Sequence, residues 1–135
     1  MARTPKDVTD AELAVLQALW DRGPASIREL VDRLYPGGGN SEYATVQKLC
    51  ERLLAKDYLA RDRRRRPHQF RAILGREELI GRRLQSMADN LCAGSYIPLL
   101  SHLVDRGSLT REELQSLRDQ VENLNSKPKR RRRGD

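Results

Sequence analysis

Asn40-Ser-Glu-Tyr-Ala-Thr-Val-Gln-Lys-Leu-Cys-Glu-Arg-Leu-Leu-Ala-Lys56 runs directly into Asp57-Tyr-Leu-Ala-Arg-Asp-Arg-Arg-Arg-Arg-Pro-His-Gln-Phe-Arg-Ala-Ile73, and these two stretches decide the fold. In the first, Val46, Leu49, Cys50, Leu53 and Leu54 fall on one stripe at about 100° per residue, which predicts a helix to about Lys56 capped by Asn40 or Ser41. Its opposite face carries Ser41, Ala44, Lys48, Glu51, Arg52 and Ala55, flanked by Thr45 and Gln47. In the second, Tyr58–Arg61 and His68–Ile73 alternate as strands do, and Asp62–Pro67 between them reads as a hairpin loop with an arginine tip.

Upstream, two helix starts are marked by capping boxes, in which a Ser or Thr and the Glu three residues on satisfy each other's orphan backbone donors. Thr9 with Glu12 opens a helix to about Arg22, with Leu13, Leu16, Leu19 and Trp20 on one face and Gly23-Pro24 as its stop. Ser26 with Glu29 opens another, carrying Ile27, Leu30, Val31 and Leu34 and ending before Pro36-Gly-Gly-Gly39. Three helices followed by a hairpin is the element order of a winged helix-turn-helix, over residues 1–75; a generic α+β domain is the alternative.

Downstream, residues 76–126 read as purely helical. Ile80, Leu84, Met87, Ala88 and Leu91 form one stripe, interrupted by Ala93-Gly94-Ser95. A short helix with Ile97, Leu99, Leu100, Leu103 and Val104 ends at Gly107, and Thr110 with Glu113 caps a last helix bearing Leu114, Leu117, Val121 and Leu124. Three such helices in so short a segment cannot bury all these stripes within one chain, so they need a partner, most simply a second copy. Leu84, Met87, Leu91, Leu100, Leu117, Val121 and Leu124 are the expected contacts. The expected architecture is therefore mainly α with a small β-hairpin: an N-terminal winged helix-turn-helix and a C-terminal helical dimerisation domain.

Charge divides along the same boundaries. The 135 residues have a formal net charge of +7, yet residues 1–75 hold 14 Lys+Arg against 10 Asp+Glu, residues 76–126 hold 6 against 8, and residues 127–135 hold 6 against 1. The first segment's excess lies in Arg61, Arg63, Arg64, Arg65, Arg66 and Arg71. Four adjacent arginines, with no acidic helix face to neutralise them, call for an anion, and at a hairpin tip they would meet phosphates or enter a minor groove, adding affinity more than sequence choice. Base reading falls to the helix before them, where Ser41, Ala44 and Thr45 allow close approach, Gln47 fits an adenine edge, Lys48 a guanine or phosphate, and Arg52 extends the face. The tail Lys127-Pro-Lys-Arg-Arg-Arg-Arg-Gly-Asp135 lacks apolar residues and reads as disordered, serving either as a solubilising end or as a second DNA-contacting arm.

Other classes find little support. No window of about 18 apolar residues exists and the first residues lack a secretory stretch, which predicts a cytoplasmic protein without a membrane partner. Cys50 falls on the buried stripe, Cys92 is either inert or a redox sensor, and the two are too few and too far apart for a disulfide framework or thiolate metal site. His68, expected near the wing, and His102, expected on a helix surface, have no ligand or nucleophile partner at suitable spacing, and Gly37-Gly-Gly39 lacks the residues of a phosphate-cradling loop. Neither an enzyme nor a cofactor is expected. A winged-helix adaptor binding RNA or an acidic protein stays open as the alternative, although no exposed aromatic platform recommends it; a small-molecule-binding regulator is a third reading.

The chain resembles the penicillinase repressor and methicillin-resistance regulator (BlaI/MecI-type) winged-helix repressors over about residues 8–125. The resemblance is carried by Val8-Thr-Asp-Ala-Glu-Leu-Ala-Val-Leu-Gln-Ala-Leu-Trp-Asp21, by Thr45-Val-Gln-Lys-Leu-Cys-Glu-Arg-Leu53 with Lys56-Asp-Tyr-Leu59, and by Leu114-Gln-Ser-Leu-Arg118. It implies a homodimeric transcriptional repressor that binds an inverted-repeat operator in double-stranded DNA. The family usually has a second Thr at Lys48 and often a basic residue at Gln47, so its typical half-site does not carry over directly. Ser101-His102 stands where several members carry the Asn-Phe bond cleaved by an inactivating protease, and the cysteine cluster of copper-responsive relatives is absent.

Overall fold

A computed structural model describes residues 7–126 of the chain. The predicted basic tail, residues 127–135, lies outside the described residues. Among those described, the element order is α1 (Asp10–Arg22), α2 (Ile27–Leu34), α3 (Asn40–Ala55), β1 (Leu59–Asp62), β2 (Gln69–Ala72), α4 (Arg76–Leu91), α5 (Ile97–Asp105) and α6 (Arg111–Ser126). The mainly helical fold with one small hairpin is the one expected, a winged helix followed by a helical C-terminal region.

Each capping box forms as its spacing dictates. Glu12 N–H donates to the Thr9 hydroxyl at 3.2 Å while Thr9 N–H donates to the Glu12 carboxylate at 2.9 Å; Ser26 with Glu29 and Thr110 with Glu113 repeat the pattern. The start of α3 departs from expectation: its N-cap is Gly39, not Asn40 or Ser41. The Glu42 carboxylate accepts from Gly39 N–H at 2.8 Å, so the acidic half of a capping box operates one residue early, without a hydroxyl partner. Gly38 just before it admits no side chain, because a Cβ there would lie 2.9 Å from the Tyr35 carbonyl oxygen.

Helix α3 ends in the pattern usually built on glycine, here with Asp57 at φ 64°. Tyr58 N–H reaches the Leu53 carbonyl at 2.9 Å and Asp57 N–H the Leu54 carbonyl at 3.0 Å, which turns the chain straight into β1. Strands β1 and β2 pair antiparallel with Leu59 opposite Ala72 and Arg61 opposite Phe70. Ala25, between α1 and α2, exchanges both backbone hydrogen bonds with Phe70, at 3.0 and 2.8 Å, and so ties the hairpin to the helices.

The core joins α1 (Val15, Leu16, Leu19), α2 (Leu30, Val31), α3 (Val46, Leu49, Cys50, Leu53) and the hairpin (Leu59, Phe70). Inside it lies a charge pair that sequence reading did not anticipate: Glu12 is 1% exposed and accepts from Lys56 Nζ at 2.6 Å. Burial alone would raise the Glu12 carboxyl, but the Lys56 ammonium and the Thr9 backbone and hydroxyl outweigh it and hold the carboxyl below its ordinary value.

The described residues form two compact units that part between Leu84 and Gln85, within α4. Its first turns belong to the first unit because Leu79 is buried there, Arg82 donates to the Tyr58 hydroxyl at 2.9 Å, and Arg83 donates to the Val8 carbonyl at 2.7 Å. Trp20 Nε1 donates to the Leu74 carbonyl at 2.8 Å and anchors the segment leading into α4.

In the second unit the Tyr96 hydroxyl donates to Gln85 at 2.6 Å, while most of the large apolar residues are exposed. No residue of α5 is buried. On α4, Ala88 is buried, so the predicted stripe is split: Leu84, Met87 and Leu91 face solvent. Among the described residues no helix is long and apolar enough to cross a membrane.

Candidate nucleic-acid interface

The buried stripe of α3 fixes the orientation of its other face. With Val46, Leu49, Cys50 and Leu53 in the core, Ser41, Ala44, Thr45, Gln47, Lys48 and Arg52 are all exposed, as the sequence predicts. The side chains of Gln47, Lys48 and Arg52 form no hydrogen bond or ion pair with the described residues, so their donors are available to a ligand. Thr45 is constrained, since its hydroxyl donates to the Ser41 carbonyl at 3.1 Å; its methyl and the oxygen's lone pairs remain for a base edge. Cys50, deep beneath this face, has its thiol pushed up to about 12 by burial and by the neighbouring Glu51 carboxylate, so it is an inert packing residue.

Two residues that meet beside the start of this helix, one on α2 and one on α3, escaped the sequence reading. Arg28 of α2 donates to the Gly38 carbonyl at 3.2 Å and lies over the ring of the exposed Tyr43, 5.7 Å from its centroid. The signal available was an arginine two residues after the capping Ser26 and an aromatic within a polar first turn. Together they put a cation and a phenol beside the exposed face of α3.

The hairpin brings the arginines together. Arg61, Arg63, Arg64, Arg65 and Arg71 line one groove with Gln69. Arg63, Arg64, Arg65 and Arg66 are all exposed, and the side chains of Arg63, Arg66 and Arg71 have no hydrogen-bond or ion-pair partner among the described residues. Arg61 lies 6.0 Å from the centroid of the Phe70 ring. Gln69 links the hairpin to α2 through the Glu29 carboxylate at 3.4 Å, and that carboxyl is held below its ordinary value by the Ser26 backbone N–H and by Gln69.

One expectation about the tip is corrected. The arginine run does have a neutralising carboxylate, Asp62, which accepts from the Arg64 backbone N–H at 3.0 Å and from Arg64 Nε at 3.2 Å, with Arg65 Nε 3.8 Å away. The Arg64 backbone N–H, then its guanidinium and that of Arg65, hold the Asp62 carboxyl below its ordinary value. The run is therefore two bare arginines, Arg63 and Arg66, around a pair partly neutralised from within.

The histidines lie where expected and away from any cluster: His68 half-buried just before β2, His102 exposed on α5. Cys92 is half-buried just after α4. Among the described residues no three His, Cys, Asp or Glu side chains are grouped so as to hold a metal ion.

Comparison with known proteins joins this geometry to a family. The family model described as penicillinase repressor matches residues 8–123. The transcriptional regulator BlaI of Mycobacterium tuberculosis is 31% identical over 99 residues, covering 72% of this chain and 71% of that protein. An uncharacterised 16.5 kDa protein in the ptsI 3′ region of Latilactobacillus sakei is 26% identical over 117 residues, covering 87% of this chain and 80% of that protein.

Proposed function

The chain belongs to the penicillinase repressor family, and on that premise we propose that it is a homodimeric transcriptional repressor, working in the cytoplasm, that binds an inverted-repeat operator in double-stranded DNA. Helix α3 enters the major groove and reads bases with Ser41, Ala44, Thr45, Gln47, Lys48 and Arg52. The wing arginines Arg63, Arg64, Arg65 and Arg66 lie along the phosphates and supply affinity that does not depend on sequence.

The observation that carries the reading is the two-faced character of α3. Its apolar stripe is locked in the core, while six small, polar or basic residues stand exposed beside an arginine-lined hairpin. A rigid helix of this composition suits a groove whose edges present both donors and acceptors.

Dimerisation is supported by the open apolar faces of α4, α5 and α6. Leu84, Met87, Leu91, Leu100, Leu117, Val121 and Leu124 are each between 44% and 76% exposed in the single chain. So much open leucine on three helices is satisfied by a second copy. A two-fold dimer then presents two reading helices, which is why the operator is an inverted repeat.

The test is Lys48→Ala, measured on the operator and on a random duplex of equal length. Loss of a base contact weakens operator binding by about 1–3 kcal/mol and leaves random duplex nearly unchanged. Equal loss on both would make Lys48 a phosphate contact and remove it from base reading.

A further inference from the structure

We propose that Asp62 is an internal anion which occupies the wing arginines in the free protein and which DNA phosphates displace, so that it sets the level of sequence-independent affinity. The inference rests on the wing contacting phosphates and adds a residue of opposite sign to that contact.

The geometry is specific. One carboxylate oxygen of Asp62 takes both the backbone N–H and the Nε of Arg64, at 3.0 and 3.2 Å, and the other lies 3.8 Å from Arg65 Nε. These are the side-chain positions that a phosphate's oxygens would take, and a guanidinium binds a carboxylate and a phosphate through the same donors. The carboxylate and its arginines are accessible to such a competitor: Arg64 is 93% exposed at its side chain, Arg65 71% and Asp62 32%. An ion pair so open to solvent is weak and readily exchanged.

Two consequences follow from the charges. In the free protein Asp62 relieves repulsion within Arg63-Arg-Arg-Arg66 and holds the tip in a turn through the Arg64 N–H. On DNA it becomes a negative charge beside the phosphate backbone, opposing the contact its neighbours make. Because the wing reads no bases, this opposition falls on every duplex alike.

Asp62→Asn isolates the charge, since an amide oxygen can still accept from Arg64 N–H and preserve the turn. On both operator and random duplex the variant is expected to bind roughly two- to fivefold more tightly, with the ratio between them unchanged. The slope of log affinity against log salt steepens by up to about one unit, as one more phosphate is neutralised. Most of the gain disappears when Arg64→Gln and Arg65→Gln are added, because the cations released are then absent and only the relieved repulsion between Asp62 and the phosphates remains. Asp62→Ser, which keeps a turn-forming oxygen, gives the same direction and guards against a folding defect in the first variant.

Unchanged or weaker binding by both Asp62 variants, with unaltered thermal melting, would overturn the proposal and leave Asp62 as a turn-former alone. Failure of the underlying reading looks different: Arg64→Gln with Arg65→Gln would then leave the salt slope of the otherwise unaltered protein untouched.

Discussion

If the open leucines of the second unit are a dimer face, the cost of trimming each should follow how much of it a single chain leaves exposed. Leu117 is 44% exposed and Leu91 76%. Leu→Ala removes three carbons, worth roughly 2.4 kcal/mol at ~0.8 kcal/mol per buried CH₂. Scaling by the area left for a partner to cover gives about 1 kcal/mol for Leu117 and about 1.8 kcal/mol for Leu91, per copy. A two-fold interface carries each substitution twice, so the dissociation constant should rise roughly 40-fold for Leu117→Ala and several hundredfold for Leu91→Ala. Sedimentation equilibrium over a concentration series measures both constants, and circular dichroism checks that the helices persist. A monomeric unsubstituted protein would refute the reasoning, as would two variants that dissociate no more readily than it does.

Replacing Arg63, Arg64, Arg65 and Arg66 by Ser should weaken binding to all duplexes alike and flatten the salt slope by about 2 to 4 units. The lower figure counts only the arginines free of Asp62; an unchanged slope would take the wing out of the interface. Lys56→Met leaves the Glu12 carboxylate buried without its cation, and urea unfolding at neutral pH should show a loss of about 3 kcal/mol, the low end for a broken buried pair because the Lys56 side chain is 18% exposed. Since the fold holds the Glu12 carboxyl below its ordinary value of 4.5, its contribution to stability is present above that pH and is lost as pH falls through the lower folded value. Glu12→Gln should accordingly flatten the decline in stability below pH 4.5, and an unaltered acid limb would contradict this.

What was legible in the sequence is what is local. Capping boxes depend on residues three apart, so Thr9, Ser26 and Thr110 marked their helices correctly. The stripe of α3 fixed its own burial, and with it the exposure of all six residues proposed to read bases. The Gly39 cap was missed because Asn40 and Ser41 are better intrinsic caps; the tight Tyr35–Gly39 turn overrode that preference. Distant pairings gave no signal. Glu12 lies on α1 and Lys56 just after α3, 44 residues apart, and the exchange between Ala25 and Phe70 is a single bridge without a strand pattern around it. Asp62 could have been read, since Asp two residues before a backbone donor is a common turn-former, but the count of positive charge beside it obscured its sign.

The most direct test of base reading by α3 in a symmetric dimer is selection of bound sequences from a pool of random duplex DNA. The expected result is a palindrome with two half-sites about one helical turn apart or a multiple of it, whose preferred bases change when Gln47 or Lys48 is replaced. A pool that enriches no sequence, or a preferred sequence indifferent to both residues, would contradict it.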